Sequence, residues 1–318
     1  MPILIDDSYR PSLFLKNGHF STIFPYVVRK NLSFPHSLRE RWTTPDDDFI
    51  DLDFYKANHK RIALLLHGLE GSSQSQYMRA TSHELATNGW DVCALNHRSC
   101  SGQMNRRPQM YHSGFTMDIN FVVNRLTAIY DYIVIVGFSM GGNMAMKYVG
   151  DGHYTLPQQL KSIVAVSVPI ELASSSIELS KWKNKIFTKQ FLITLMQKMT
   201  IKAELFPELL KRENIKKVYN LIDFDNYFTA PLHGFIDGQD YYKRASSKQF
   251  LRTITIPTTL INALNDPFLS PECMPFEEAL DNSFFNFFPI KHGGHVGFGK
   301  MGKSPYWIEK KISEILMV

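Results

Sequence analysis

A serine, a carboxylate and an imidazole can together carry out nucleophilic acyl transfer, and this chain offers a candidate for each. A serine hydroxyl is a weak nucleophile until a base takes its proton and a carboxylate holds that base in the right tautomer. Ser139 stands in Gly137-Phe138-Ser139-Met140-Gly141, behind the apolar run Ile133-Val134-Ile135-Val136 and ahead of Asn143-Met144-Ala145-Met146-Lys147-Tyr148, a good helix sequence. That order predicts a strand, a tight turn and a helix, with the hydroxyl at a strained corner and the helix dipole favouring negative charge beside it. In this chain order the acid and the base follow the serine. Asp266 is the only carboxylate in Leu264-Asn265-Asp266-Pro267-Phe268-Leu269-Ser270-Pro271, and two histidines occupy Lys291-His292-Gly293-Gly294-His295-Val296-Gly297. His295 lies deeper in its loop among small residues and is the preferred base, whereas His292 follows the strand closely and is expected to face outward. A zinc site is disfavoured, because no His-Glu-x-x-His or Cys pair completes one. The anion formed on attack needs donors: the N–H of Met140, next after the serine, and that of Leu69 in His67-Gly68-Leu69-Glu70-Gly71.

These loops need a common edge, and the hydrophobic pattern supplies one. Continuous apolar runs at Arg61–Leu66, Asp91–Leu95, Tyr132–Gly137, Leu160–Val168, Thr258–Ala263 and Ser283–Phe288 read as strands buried on both faces. Helical stretches alternate with them at 76–88, 115–130, 140–149, 271–280 and 306–316. The rhythm predicts an α/β fold: a mostly parallel, doubly wound sheet with function at the carboxyl ends of its strands. Leu38–Thr44 and Phe49–Lys56, around Pro45-Asp46-Asp47-Asp48, predict an antiparallel hairpin at its amino-terminal edge. Before it, residues 1–36 read as an irregular arm with a short helix, in which His19 is a packing or capping residue. The interval 169–247 is far longer than an ordinary connection and must have its own structure. Within it Lys185–Met199 places Phe187, Phe191, Leu195 and Met199 on one helical stripe, so the segment reads as a helical cap over the sheet edge.

Composition sets the outer bounds. The chain has 318 residues, 44% of them hydrophobic, enough for a single domain with one insertion. Its formal charge of +5 is concentrated in residues 171–220, which hold ten Lys and Arg against five Glu. No aromatic platform or helix-turn-helix pattern accompanies this charge, which argues against nucleic acid. Cys93, Cys100 and Cys273 show no disulfide or zinc spacing and fit free thiols in a reducing cytoplasm. The amino terminus lacks a signal-peptide pattern, and no apolar stretch approaches the roughly 18 residues of a membrane-spanning helix.

Several further blocks complete a resemblance. Lys16-Asn17-Gly18-His19-Phe20-Ser21-Thr22, Asn96-His97-Arg98-Ser99, Tyr111-His112-Ser113-Gly114, Asp225 to Phe235, Asp240-Tyr241-Tyr242 and the serine, acid and histidine loops are together similar to the α/β-hydrolase superfamily. The match is to its YheT-like branch. The resemblance implies a serine esterase with a triad at Ser139, Asp266 and His295 and no metal or organic cofactor. Two positions depart from the pattern: Ser99 stands where glycine is usual, and Asn265 replaces an aspartate, which is expected to lower the negative charge beside Asp266. The expected substrate is a small ester or lipid of short or medium acyl chain. A lipase or phospholipase touching membranes through the cap is one alternative. A non-catalytic binding protein on the same fold is another.

Overall fold

The computed structural model describes residues 2–6, 8–29, 37–302 and 305–317. Its centre is a sheet of eight strands in the spatial order β1-β2-β4-β3-β5-β6-β7-β8. The hairpin β1 (Leu38–Thr43) and β2 (Phe49–Tyr55) forms the antiparallel edge, and β2 pairs antiparallel with β4 (Asp91–Asn96). From there β3 (Arg61–Leu66), β5 (Tyr132–Phe138), β6 (Leu160–Val166), β7 (Thr258–Ala263) and β8 (Phe285–Ile290) continue in parallel. The order reverses around β3, which follows β4 in space, so the loops after β3 and β5 lie side by side at one edge. Helices cover both faces, and two apolar clusters fill the space between them and the sheet.

The helices are α1 (Gly18–Val28), α2 (Gln76–Thr87), α3 (Met117–Leu126) and α4 (Met140–Gly150), followed between β6 and β7 by α5 (Leu172–Ser180) and α6 (Lys185–Leu205). The same interval continues with α7 (Leu221–Phe224), a single π-helical turn (Asp225–Thr229), α8 (Ala230–His233) and α9 (Gly238–Ala245), before α10 (Phe276–Asp281) and α11 (Trp307–Met317) close the chain. Most strands fall where the apolar pattern puts them. Two differences have local causes. The helix expected over 271–280 is split into a 3₁₀ turn (Pro271–Cys273) and α10, because Pro275 cannot donate the hydrogen bond that would join them. The last strand runs two residues further than its apolar run, through Pro289 and Ile290; a proline is tolerated there because β8 is an edge strand.

The arm is ordered by what it touches. Pro2 and Leu4 bond to the backbone of Phe287 and cover the free edge of β8. Asn17 caps α1 by accepting from the N–H groups of His19 and Phe20, and α1 then lies against the loops after β7 and β8. Residues 30–36 of the arm lie outside the described residues.

Candidate active site

Ser139 is the residue where β5 turns into α4. Its backbone sits at φ 53° and ψ −121°, a conformation costing about 1–3 kcal/mol that persists only when surroundings enforce it. The enforcement is close packing. A Cβ on Gly141 would lie 2.5 Å from the Leu66 carbonyl oxygen, and one on Gly137 would lie 2.6 Å from that of Gly141, so only glycine lets β5, α4 and the end of β3 approach this closely.

The loops after β7 and β8 bring the acid and the base to this corner. His295 Nε2 lies 2.8 Å from Ser139 Oγ, and its Nδ1 lies 2.8 Å from Asp266 Oδ2. The Phe268 N–H donates to Asp266 Oδ1 at 2.9 Å, leaving Oδ2 for the imidazole. Asp266 is buried, and the Phe268 ring covers the imidazole at 4.3 Å between centroids. The structure thus places Ser139, Asp266 and His295 in one hydrogen-bonded chain. His292 is half-buried instead of facing outward, and neither Ser139 nor Asp266 bonds to it. Burial lowers its pKa, as do the neighbouring lysines.

The arm holds both loops. The His295 N–H donates to Thr22 Oγ1 at 2.9 Å, and Ser21 Oγ donates to the Gly293 carbonyl at 2.7 Å. Asn265 donates from Nδ2 to the Lys16 carbonyl at 2.8 Å and accepts from the Gly294 N–H at 3.1 Å. The departure at Asn265 is therefore more than the removal of a charge: one amide ties the arm, the acid loop and the histidine loop together, and a carboxylate has no donor for the Lys16 carbonyl. The other departure, Ser99, has φ 65°, where glycine is the default, and offsets that strain by donating to Asn105 Oδ1 at 2.6 Å and accepting from the Asn105 N–H at 3.1 Å.

The loop after β3 lies against the serine. A Cβ on Gly68 would stand 3.1 Å from Ser139 Cβ. His67 donates from Nδ1 to the Gly68 carbonyl at 2.7 Å, and its Nε2 accepts from the His97 N–H at 3.1 Å. Both imidazoles are fully buried; burial holds His67 well below its ordinary pKa and lowers His97 to about 4, so both are neutral. Beyond Leu69, the Glu70 N–H donates to the Tyr111 hydroxyl at 2.9 Å, which donates to Glu70 Oε1 at 2.7 Å. Lys198 of α6 reaches the same carboxylate oxygen at 2.8 Å and so fixes α6 to the loop. Among the described residues, neither the Leu69 nor the Met140 N–H is bonded to a protein acceptor.

A cavity of about 120 Å³ opens on Ser139 and His295, walled by Leu69, Met140, Leu172, Phe191 and Phe268 among others. Part of the expected α6 stripe forms this wall: Leu195 and Met199 are buried, and Phe187 and Phe191 meet the Phe268 ring at 4.8 and 6.3 Å. The helix runs six residues beyond the expected end at Met199, because Lys202 buries its ammonium against the carbonyl oxygens of Asn105 and Arg107. His19 is a packing residue, stacked on Phe187 and 3.1 Å from Asn184.

A family profile described as the alpha/beta hydrolase fold matches residues 64–299. YheT of Escherichia coli is 31% identical over 310 residues, covering 94% of this chain and 90% of its own. The chain belongs to the alpha/beta hydrolase family. Among more distant relatives, a monoacylglycerol lipase of Saccharomyces cerevisiae is 26% identical over 92% of this chain and 66% of its own length. The phospholipase ABHD3 of Homo sapiens is also 26% identical, over 93% and 74%. The Pyrococcus furiosus esterase Pf2001 superposes with a TM-score of 0.60 at 17% identity, over 90% of this chain and 93% of that one, a likeness of fold. No helix among the described residues is long and apolar enough to cross a membrane, and none of their His, Cys, Asp and Glu side chains forms a metal-binding group.

Sequence reasoning missed the supporting residues. Ser21, Thr22 and Asn265 act through contacts between distant segments; the arm block marks the first two, and Asn265 stands out only as a departure in charge. Lys198 and Glu70 had no signal, since a lysine on an amphipathic helix ordinarily faces water.

Proposed function

We propose that the protein is a serine hydrolase of carboxylic esters. The observation that carries the reading is the continuous path from Ser139 Oγ through His295 to Asp266, with contacts of 2.8 Å at each step. Ser139 attacks the acyl carbon while His295 takes the hydroxyl proton and then delivers it to the departing alkoxide. Water repeats the sequence on the acyl-serine and releases the acid. Asp266 holds the imidazole with Nε2 toward the serine, and the N–H groups of Leu69 and Met140 receive the oxyanion. The esterase designation of YheT and the lipase and phospholipase names of the other relatives support an ester substrate. The confined cavity of about 120 Å³ at Ser139 favours short acyl chains. We place α5 to α9 over it as a cap, joined to the catalytic edge through the Lys198–Glu70 pair.

The test is pre-steady-state hydrolysis of p-nitrophenyl acetate and butyrate. A burst of nitrophenol stoichiometric with enzyme is expected if the acyl-serine accumulates. Absence of turnover on both esters would count against the reading and favour a binding protein.

One observation favours a lipid surface as the place where the substrate is met. Trp182 is 88% exposed, Ile186 76% and Phe20 60%, beside the exposed Lys181, Lys183 and Lys185. Aromatic and aliphatic side chains amid lysines suit an anionic interface. Co-sedimentation with phosphatidylglycerol vesicles at low salt should be strong and should drop severalfold for Trp182→Ala/Ile186→Ala. No sedimentation of the wild type would leave a freely diffusing esterase.

A further inference from the structure

Three sequence blocks supply no reacting group, although Tyr111 braces the loop of Glu70: Tyr111-His112-Ser113-Gly114, Asp225 to Phe235, and Asp240-Tyr241-Tyr242. The fold brings them together in the wall of the same cavity that holds Ser139. The Ser113 N–H donates to the Tyr241 hydroxyl at 3.1 Å, and the His112 ring packs 4.5 Å from His233 and 5.5 Å from Tyr241. At their centre is Asp225, the first residue of the π-helical turn between α7 and α8. Its Oδ1 accepts from Thr229 Oγ1 at 2.7 Å and its Oδ2 from the Tyr242 hydroxyl at 2.7 Å. A single π turn within a helix is uncommon and is frequently found at functional sites.

A merely structural tie between α9 and the π turn would not need a carboxylate. Burial raises the Asp225 carboxyl to about 6, the two hydroxyl bonds opposing it, so at neutral pH it is mainly ionised. Asp225 is half-buried and lines the cavity, and among the described residues no cation pairs with it; a charge withdrawn from water without a counter-ion is costly. An ionised carboxylate has about four acceptor positions, and two are used. Ser175, Ser176 and Tyr241 also line the cavity, with Ser175 Oγ 3.2 Å from Cys273 Sγ and the Tyr241 hydroxyl accepting from the Ser113 N–H. Facing an apolar wall of Leu172, Leu221 and Phe224, these groups make a polar patch within an otherwise greasy cavity. A ligand that donates to Asp225 and accepts from a neighbouring hydroxyl satisfies both kinds of partner; an alcohol does this, whereas an ammonium has no acceptor.

We propose that Asp225, with Thr229 and Tyr242, forms a specificity site for a substrate hydroxyl, so that the preferred esters carry a free hydroxyl on the acyl chain or on the alcohol. The proposal rests on the esterase reading for its substrate class. A site built to bond a hydroxyl rejects an isostere lacking one far more strongly than an apolar pocket rejects an extra methylene.

Hydrolysis of two matched pairs tests it by acid release: methyl 6-hydroxyhexanoate against methyl heptanoate, and glycerol monobutyrate against propyl butyrate. The expected result is at least a tenfold preference in kcat/KM for the hydroxylated member of one pair, which also says which side of the ester carries the hydroxyl. Asp225→Leu should bring that ratio below two, and Asp225→Asn and Tyr242→Phe should lower it by smaller factors; if the leucine variant does not fold, these two carry the comparison. A merely structural role would lower rates on both members equally. A wild-type ratio below two in both pairs overturns the proposal while leaving an esterase. If no ester is turned over, the esterase reading fails. Calorimetric titration of Ser139→Ala with hexane-1,6-diol and 1-heptanol then still reads the site: preference for the diol, lost with Asp225→Leu, supports it, and equal binding overturns it.

Discussion

Ser139→Ala is expected to lower kcat for p-nitrophenyl butyrate by about 10⁴- to 10⁶-fold with little change in KM, because the nucleophile is lost and the walls that hold the substrate stay. The variant should fold: its side chain is smaller and its backbone is set by the glycines around it, although alanine at φ 53° still pays for the strain. His295→Ala should cost nearly as much, and the double variant little more than either single one, since the residues act as one unit. Asp266→Asn should lose about 10⁴-fold by favouring the wrong imidazole tautomer. Steady-state rates measured on freshly folded protein check the series. Activity of Ser139→Ala within tenfold of wild type would remove this serine from the mechanism.

The second large effect is on stability and centres on Arg98, in the loop after β4. Its guanidinium is fully buried and bonds Asp118 at 2.8 and 2.9 Å and Asp46 at 2.7 and 3.0 Å, with Asp48 at 3.3 Å. Burial alone would lower its pKa; the hydrogen bonds it donates to Asp118 and Asp46 outweigh it and raise it. Removing the cation leaves Asp118 buried without its partner, and takes the paired positive charge from Asp48, which keeps the N–H groups of Phe49, Arg106 and Arg107 and the Asn105 amide. Breaking a buried pair in this way costs about 3–5 kcal/mol, and Arg98→Ala should show such a loss in urea denaturation at pH 7. Arg98→Lys should recover little, since an ammonium cannot bridge carboxylates in a bidentate manner.

The pH dependence follows from Asp46, whose carboxyl is brought down to about 2: burial would raise it, but the bonds from Arg98 and Thr44 and the Arg98 charge prevail. A lowered carboxylate pKa stabilises the fold above the ordinary value of 3.8 and loses that contribution as pH falls toward 2. In Arg98→Ala the part owed to Arg98 should be lost while the Thr44 bond stays, so the gap from wild type narrows in acid. A loss below about 1 kcal/mol at pH 7 would show that the cluster is not a keystone of this loop. The cluster also bears on the site, because the next residue back, His97, holds His67 and through it the loop of Leu69.

What the sequence displays follows from how local its causes are. The strand before Ser139, the glycines at its corner and the loops carrying Asp266 and His295 are legible because each needs only neighbouring residues and the right-handed β-α rhythm. The two-residue shift of β8 was hidden because an apolar run does not say where an edge strand stops pairing. Asn265 was read only as a charge difference, since its partners Lys16 and Gly294 are distant in the chain and only the folded arm brings them together. Buried Lys202 and the bond of Lys198 to Glu70 were invisible for a related reason: helix periodicity assigns lysines to solvent, and tertiary contacts overrode it. The Asp225 block stood out as a motif, yet its place beside the cavity depends on a π turn that no periodic pattern announces.

The central claim is that Ser139 Oγ is the nucleophile, and its most direct measurement is intact-protein and peptide mass spectrometry after treatment with a fluorophosphonate. The reagent loses fluoride as the serine oxygen bonds to phosphorus. One adduct per chain is expected, on the peptide containing Ser139, with no adduct on Ser139→Ala and greatly slowed addition on His295→Ala. An adduct on another residue, or undiminished labelling of Ser139→Ala, would contradict the account.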